Sequence, residues 1–399
     1  MADPFESIVG ASHVRVPEGE TLDGVPISAV LRPGGAAEVA ACLAAAAEHG
    51  LAVVPCGGGT GLARANPPRA TSVVRLELGR LREPLQVQAD EGIAIFAAGL
   101  PVAEAERSAQ AAGMRTWLPH GAAGSSVGGA IAADPLRADA SLDRGLRNDL
   151  LGLEVALANG SVTRCGGRVV KNVTGFDLVR LYCGSFGTLG VITSAILRVR
   201  PLPETVRVLV RECPDADAAL DAAAELDLAR VEPAGCVVLC ASGGARLVWR
   251  LEGSALEVEA RALRASGTRV DPTEWDAAEA ALRPDPAGDE LRVRLAARPS
   301  DTRALVRALA AWAVPQARLV ALPIAGTVLA DLPESALPEL YAVAGRERWL
   351  LALERAAPEV RARHDAFGPA PDALSVMRVL KQRFDPDGVL SPGRFVARI

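Results

Sequence analysis

Histidine is scarce in this chain. The four that occur stand at positions 13, 49, 120 and 364, with no spacing suited to joint metal ligation, so no metal site is assigned. Aromatic residues make up 4% of the chain, and Lys and Arg form no basic stripe. Nucleic-acid binding calls for clustered cations and often stacking platforms, so no nucleic-acid partner is expected. Seven cysteines, an odd number without any C-x-x-C pair, argue against a disulfide framework. Iron–sulfur ligand spacings are absent too; any such centre that this chain feeds belongs to another chain. No apolar run approaches the ~20 residues of a membrane span, so no transmembrane segment is expected. Met1-Ala2-Asp3-Pro4-Phe5-Glu6 has acids where a secretory signal has bases. A cytoplasmic protein is the expectation.

What the chain has is glycine. The run Val53-Val54-Pro55-Cys56-Gly57-Gly58-Gly59-Thr60-Gly61-Leu62-Ala63 follows a short apolar strand. A backbone this free can turn its N–H groups toward phosphate oxygens, and such a concavity binds anions without charged side chains. Two further loops follow, Gly121–Gly129 and Gly184–Gly190. Three backbone approaches spread along the chain suit a long ligand lying between two subdomains.

Half of the residues are hydrophobic, 23% are charged and the net charge is −5, so the chain is globular, with one or two domains. Ala36–His49 is expected as a helix closed by Gly50, with strands at Leu51–Pro55, Ser72–Leu78 and Leu85–Ala98. Val102–Ala112 reads as a helix. Asn159-Gly160, between strands Leu151–Ala158 and Ser161–Arg164, suits a type I′ hairpin. Thr174-Gly175-Phe176-Asp177 fits a capping box opening a helix to Tyr182. Strand Val191–Val199 ends at Pro201 and Pro203, which mark a domain boundary. Beyond it, strands are expected at Val206–Arg211, Cys236–Ala241, Arg246–Leu251, Leu291–Ala296 and Arg318–Leu322. Helices are expected at Asp215–Leu226, Leu256–Ala265 and Thr302–Ala313, a loop at Asp285–Asp289, and a last helix at Asp372–Phe384. Cys236 and Cys240 would share one strand face as small buried hydrophobes. Arg198 and Arg200 are expected to be solvated.

A P-loop would need Lys after the glycines, and none is there. Gly59-Thr60-Gly61-Leu62-Ala63-Arg64 lacks the third glycine of a Rossmann fingerprint, and Asn66-Pro67-Pro68 disfavours an immediate helix.

Pro55–Leu62 resembles the first phosphate loop of FAD-binding domains of the vanillyl-alcohol-oxidase / p-cresol-methylhydroxylase (PCMH) type. Ser126-Val127-Gly128-Gly129-Ala130-Ile131-Ala132 resembles the second flavin loop of that family, and Gly184–Thr193 its G-S-x-G-x-L-G-V-I-T segment. Leu380–Arg394 is similar to the closing motif of its 2-hydroxy-acid dehydrogenases. The fold implied is α+β: a two-subdomain FAD-binding domain over 1–203 (about 1–98 and 99–203), an α+β cap over 204–365, and a tail, 366–399, packing back on the FAD domain. FAD contacts then fall on Gly57, Gly58, Gly59, Thr60, Gly61 and Leu62; on Pro119, Gly121, Ser126, Val127, Gly128 and Gly129; and on Gly187, Thr188, Gly190, Val191 and Ile192.

The run Arg147–Leu153, with Gly166–Leu178, resembles the smaller FAD-binding subunits of bacterial glycolate oxidases. That implies oxidation of a 2-hydroxy acid by hydride transfer to FAD. The implied partners are a larger FAD subunit and an iron–sulfur subunit, in a complex that is cytoplasmic or peripheral to the inner membrane. Family members often carry Arg where Cys56 stands. Covalent members attach flavin through a His in or beside the loop; none occurs between His49 and His120, so the FAD is expected to be non-covalent. The metal-binding His-x-Gly-Asp-Gly-Asn-x-His motif of single-chain relatives is absent. His120, as a base, and Lys171, as a cation near the flavin, are the weak catalytic candidates; a backbone-bonded loop histidine and a structural ion pair are the plainer readings. Three roles stay open: a subunit of a glycolate oxidase-type complex, a self-sufficient FAD-dependent alcohol or 2-hydroxy-acid dehydrogenase, and a flavin-holding scaffold without turnover.

Overall fold

The computed structural model describes residues 3–119, 122–139, 145–168, 176–241, 243–283, 291–312 and 318–399. Apolar runs build its first sheet. Val73–Glu77 lies between Val25–Leu31 and Ala52–Cys56, all three parallel, and near-continuous hydrophobic sequence is what strands covered on both faces need. The helix Ala36–Glu48 buries Val39, Leu43 and Ala46 against them. The second sheet is antiparallel, in the order Val162–Gly166, Leu150–Ala156, Val191–Arg198, Ile93–Ala97, Leu85–Gln88.

Two local expectations change. At the Asn159-Gly160 hairpin only Gly160 has a positive φ, 80°, whereas a type I′ turn needs two. The Asn159 side chain accepts from Ser161 N at 3.0 Å instead, which holds the turn without a left-handed Asn. The helix after it spans Leu178–Tyr182, and its cap is Asp177, which accepts from Arg180 N at 3.2 Å. Thr174 lies outside the described residues, as does the loop expected at Asp285–Asp289.

The third sheet has eight antiparallel strands, ordered Thr268–Val270, Thr205–Cys213, Gly244–Gly253, Gly235–Ala241, Leu319–Leu322, Thr327–Leu332, Leu291–Ala296, Leu350–Arg355. Ala216–Leu228, Ala255–Ala262, Thr302–Ala310 and Leu337–Glu347 cover one face. Cys236 and Cys240 both point into that core, as their spacing predicts. On the opposite face Trp275 and Ala278 pack with Val208, Val237 and Val248, joined by Ala138 from the region of the second glycine loop. Arg115–Glu252 at 2.7 Å and Arg250–Asp139 at 3.3 Å also cross this seam. Arg198 and Arg200 are not simply solvated: they converge on the buried Asp149, at 3.8 and 3.0 Å. Burial pushes the Asp149 carboxyl up, and the arginines offset only part of that.

The tail is anchored by charge. After the helix Leu374–Phe384, Asp385 accepts from Val389 N at 2.9 Å and Leu390 N at 2.8 Å. Lys381 pairs with Asp385 and donates to Leu390 O at 2.7 Å and to Thr188 O, in the third glycine segment, at 2.9 Å. Val389 and Leu390 sit in the core beside Val53. Lys381→Met should cost about 3 kcal/mol, because it strands a fully buried carboxylate. Urea unfolding of the variant would show this, and limited proteolysis would locate the loosening in the tail. No helix among the described residues is long and apolar enough to cross a membrane.

Candidate functional site

The three glycine segments meet at one cleft of about 740 Å³, within the size range of small-molecule and cofactor sites. Its floor is the loop after Ala52–Cys56. Gly57, Gly58, Gly59, Thr60, Gly61 and Leu62 all line it, as do Pro119, Ser126, Gly128 and Gly129, and Gly187, Gly190, Val191 and Ile192. Thr60 Oγ1 and Ser125 Oγ lie 3.0 Å apart and tie the first loop to the second. Contact between these loops is so close that no side chain fits: a Cβ on Gly58 would stand 1.7 Å from Gly124 O, and one on Gly57 1.9 Å from Ser126 Oγ. Gly128 and Gly190 are also required by packing, since a Cβ there would meet Ala98 Cβ at 2.7 Å and Val155 Cγ1 at 2.4 Å.

Two expected contacts fall elsewhere. Val127 is fully buried in the core of the second sheet, because the short helix Val127–Ala133 turns that apolar face inward. Thr188 is buried as well, its hydroxyl donating to Ser185 O at 2.7 Å. His120, Gly121 and Lys171 lie outside the described residues. His364 is not part of the lining; it sits by Tyr341 and Glu334.

The rest of the lining comes from the third sheet and the helix Thr273–Ala280 packed on it, from the tail, and from Arg64 just past the first loop, and it brings charge. Five arginines (Arg64, Arg283, Arg318, Arg355, Arg394) line the cleft against two glutamates, Glu279 and Glu354. The described lining is thus cationic in a chain of net charge −5, which suits an anionic ligand. Glu354 is the hinge of this wall. In the strand Leu350–Arg355 the register jumps from Val293↔Leu353 to Arg292↔Arg355, leaving Glu354 in a bulge. A bulge re-aims side chains, and here Glu354 and Arg355 both reach the cleft. Arg64 Nε donates to Glu354 at 2.6 Å, and Arg294 lies 3.0 Å away. Burial works against the Glu354 carboxylate, but Arg64 and Arg294 outweigh it and hold its pKa down at about 2. Phe186, also in the lining, meets Phe367 edge-on at 4.9 Å and Phe395 in a tilted contact at 5.9 Å, so the third loop packs against the tail.

Nothing local in the sequence marks Arg64 and Glu354 as partners, 290 positions apart. The signal available was the closing motif, whose Ser391 and Arg394 enter the same lining. The fit to a dinucleotide cofactor is steric and electrostatic together: two bare-backbone loops packed against each other without room for a Cβ between them, lining one cleft with a surplus of arginines.

Comparison with known proteins agrees with that geometry. Residues 27–166 match the family model described as "FAD binding domain". The glycolate oxidase subunit GlcD of Bacillus subtilis (strain 168) is 32% identical over 212 residues, covering 52% of this chain and 44% of that protein. The D-lactate dehydrogenase of Archaeoglobus fulgidus is 35% identical over 198 residues, 49% of this chain and 44% of that protein. The chain thus spans less than half the length of these relatives. Among solved structures, p-cresol methylhydroxylase with substrate bound superimposes with a TM-score of 0.73 at 16% identity, over 98% of this chain and 95% of the other. An alkyldihydroxyacetonephosphate synthase gives 0.71 at 15%, over 96% and 82%. The fold is the α+β, PCMH-type FAD-binding fold implied by the motifs.

Proposed function

We propose that this chain, whose residues 27–166 are an FAD binding domain, holds FAD non-covalently in the three-loop cleft and serves the oxidation of a 2-hydroxy acid to its 2-oxo acid. The observation that carries the reading is the bare-backbone contact of the first two loops, where Gly57 and Gly58 admit no side chain. Gly57–Gly61 would turn N–H groups toward the pyrophosphate, and Ser126–Gly129 and Gly187–Ile192 would enclose the rest of the cofactor. Bound FAD would supply a two-electron acceptor for the hydrogen leaving the α-carbon, the hydroxyl proton going to a base. The substrate class rests on relatives named for glycolate and D-lactate. The cationic wall supports it, because a 2-hydroxy acid carries a carboxylate.

We place the chain as a flavin subunit beside a larger FAD subunit and an iron–sulfur subunit that takes the electrons. The run Arg147–Leu178 and the subunit name of the first relative support this. The self-sufficient dehydrogenase is the second reading. It is favoured by Arg283, Arg318 and Arg355, which bring this chain's own cations to the cleft from beyond the FAD binding domain.

The test is an absorption spectrum of the chain purified alone, then acid precipitation. Oxidised-flavin bands released into the supernatant are expected. Glycolate or D-lactate should bleach them only when the partner subunits are present. Bleaching in the isolated chain would favour the self-sufficient reading, and a protein unable to take up added FAD would end both.

A further inference from the structure

The tail segment Ser391–Arg394 entered the reading above only through the charge of Arg394, yet it is built in beside the strand that leads into the first glycine loop. Val53 donates to Val389 O at 2.7 Å and accepts from Ser391 N at 2.8 Å, and Val53 and Leu390 form a parallel bridge. The tail therefore runs parallel to the strand Ala52–Cys56, and both reach their carboxyl ends where the glycine loop opens. Ligands of parallel α/β sheets bind outside that edge.

Two residues of this segment, Ser391 and Arg394, belong to the lining. Ser391 is 1% exposed and its Oγ has no hydrogen-bond partner among the described residues. Its φ is 45°, a left-handed conformation that non-glycine residues keep only when the surroundings enforce it. A buried, unpaired hydroxyl on a strained backbone is costly twice over. Arg394 is 2% exposed and uses two of its N–H groups, on Asp23 Oδ2 at 3.2 Å and Leu62 O at 2.7 Å. A guanidinium has five. Asp23 is shared, since Arg361, also buried, donates to both of its oxygens. One carboxylate thus faces two buried guanidiniums, and a positive charge is left over beside the first glycine loop.

We propose that Ser391 and Arg394 form an anion-binding corner of the cleft that takes an oxygen of the FAD pyrophosphate. The cofactor is then held by the C-terminal tail as well as by the glycine loops. This rests on the reading that the cleft holds FAD. The hydroxyl and the surplus guanidinium are both donors, and both residues line the cleft, Ser391 beside the strand that enters the phosphate loop and Arg394 bonded to Leu62 at its far end. A pyrophosphate oxygen supplies the acceptor that Ser391 lacks and the negative charge that the Asp23–Arg361–Arg394 cluster lacks.

The test is titration of deflavinated protein with FAD and, separately, with riboflavin, which has no phosphate. Ser391→Ala is expected to weaken FAD binding ~10-fold and to leave riboflavin binding unchanged. The thermal midpoint of the apoprotein should stay level or rise, because an unpaired buried hydroxyl has been removed; a merely structural serine would lower it. Arg394→Lys keeps the charge, loses the fork, and should also weaken FAD selectively. Unaltered FAD affinity in Ser391→Ala overturns the proposal, and so does an equal loss for FAD and riboflavin, which would put the contact away from the pyrophosphate. Failure of the parent chain to bind FAD overturns the underlying reading and the corner with it.

Discussion

Gly58→Ala should leave a folded chain with much less bound flavin than the parent, because the two loops that close on one ligand are forced apart. The new Cβ would lie 1.7 Å from Gly124 O and 2.6 Å from its carbonyl carbon. Both neighbours are backbone, so no rotamer change relieves the clash; one loop has to move away from the other. The Thr60–Ser125 contact at 3.0 Å goes with it, and the two loops no longer close on one ligand. Overpacking of this kind costs about 1–3 kcal/mol. Domains have about 5–15 kcal/mol of stability, so the far-ultraviolet spectrum should stay like the parent's. Gly79→Ala is the control: a Cβ there meets nothing within 4 Å, and Gly79 is not in the cleft lining. Flavin absorbance per mole of protein reads the result. Full flavin content in Gly58→Ala would mean that the loops tolerate separation and that their closeness is not what binds the cofactor.

How much of this was legible beforehand depends on the range of the interaction. Gly57–Gly61 could be read because a glycine run after an apolar strand has few other uses, and fourteen of the seventeen expected contacts line the cleft. Val127 and Thr188 stand outside the lining for local reasons: Val127 faces the core from the first turn of a short helix, and Thr188 turns its hydroxyl back to Ser185 O. Thr327–Leu332 and Leu350–Arg355 were not read as strands. Leu and Ala dominate them, residues without strong strand preference, and pairing with Leu291–Ala296 on either side makes them strands. The cationic wall was invisible for a different reason. Arg64, Glu354 and Arg394 are ordinary surface residues by type, and only a bulge and a long-range tail contact turn them inward.

The same wall carries the largest expected effect of pH. In the folded chain the Glu354 carboxyl titrates at about 2 against an ordinary 4.5. A depressed carboxyl contributes stability above its unfolded value, and that contribution drains away as pH falls from about 4.5 through 2. The difference corresponds to about 3 kcal/mol, undiminished by solvent because the group is buried. Glu354→Gln has no such titration. It should be less stable than the parent at pH 7 by about 3–5 kcal/mol, since Arg64 and Arg294 are left without their carboxylate. Between pH 5 and pH 2 the gap should narrow, because the parent alone loses the Glu354 contribution. Urea midpoints of both proteins across that range measure it, and a gap independent of pH would refute the charge-based account. The consequence reaches the site through Arg64. It sits just past the first glycine loop, bonded at once to Ala133 O at 3.2 Å and to Glu354, so the carboxylate on the third sheet fixes where the loop ends. Releasing it should speed flavin loss from the variant even at pH 7, where the chain is still folded.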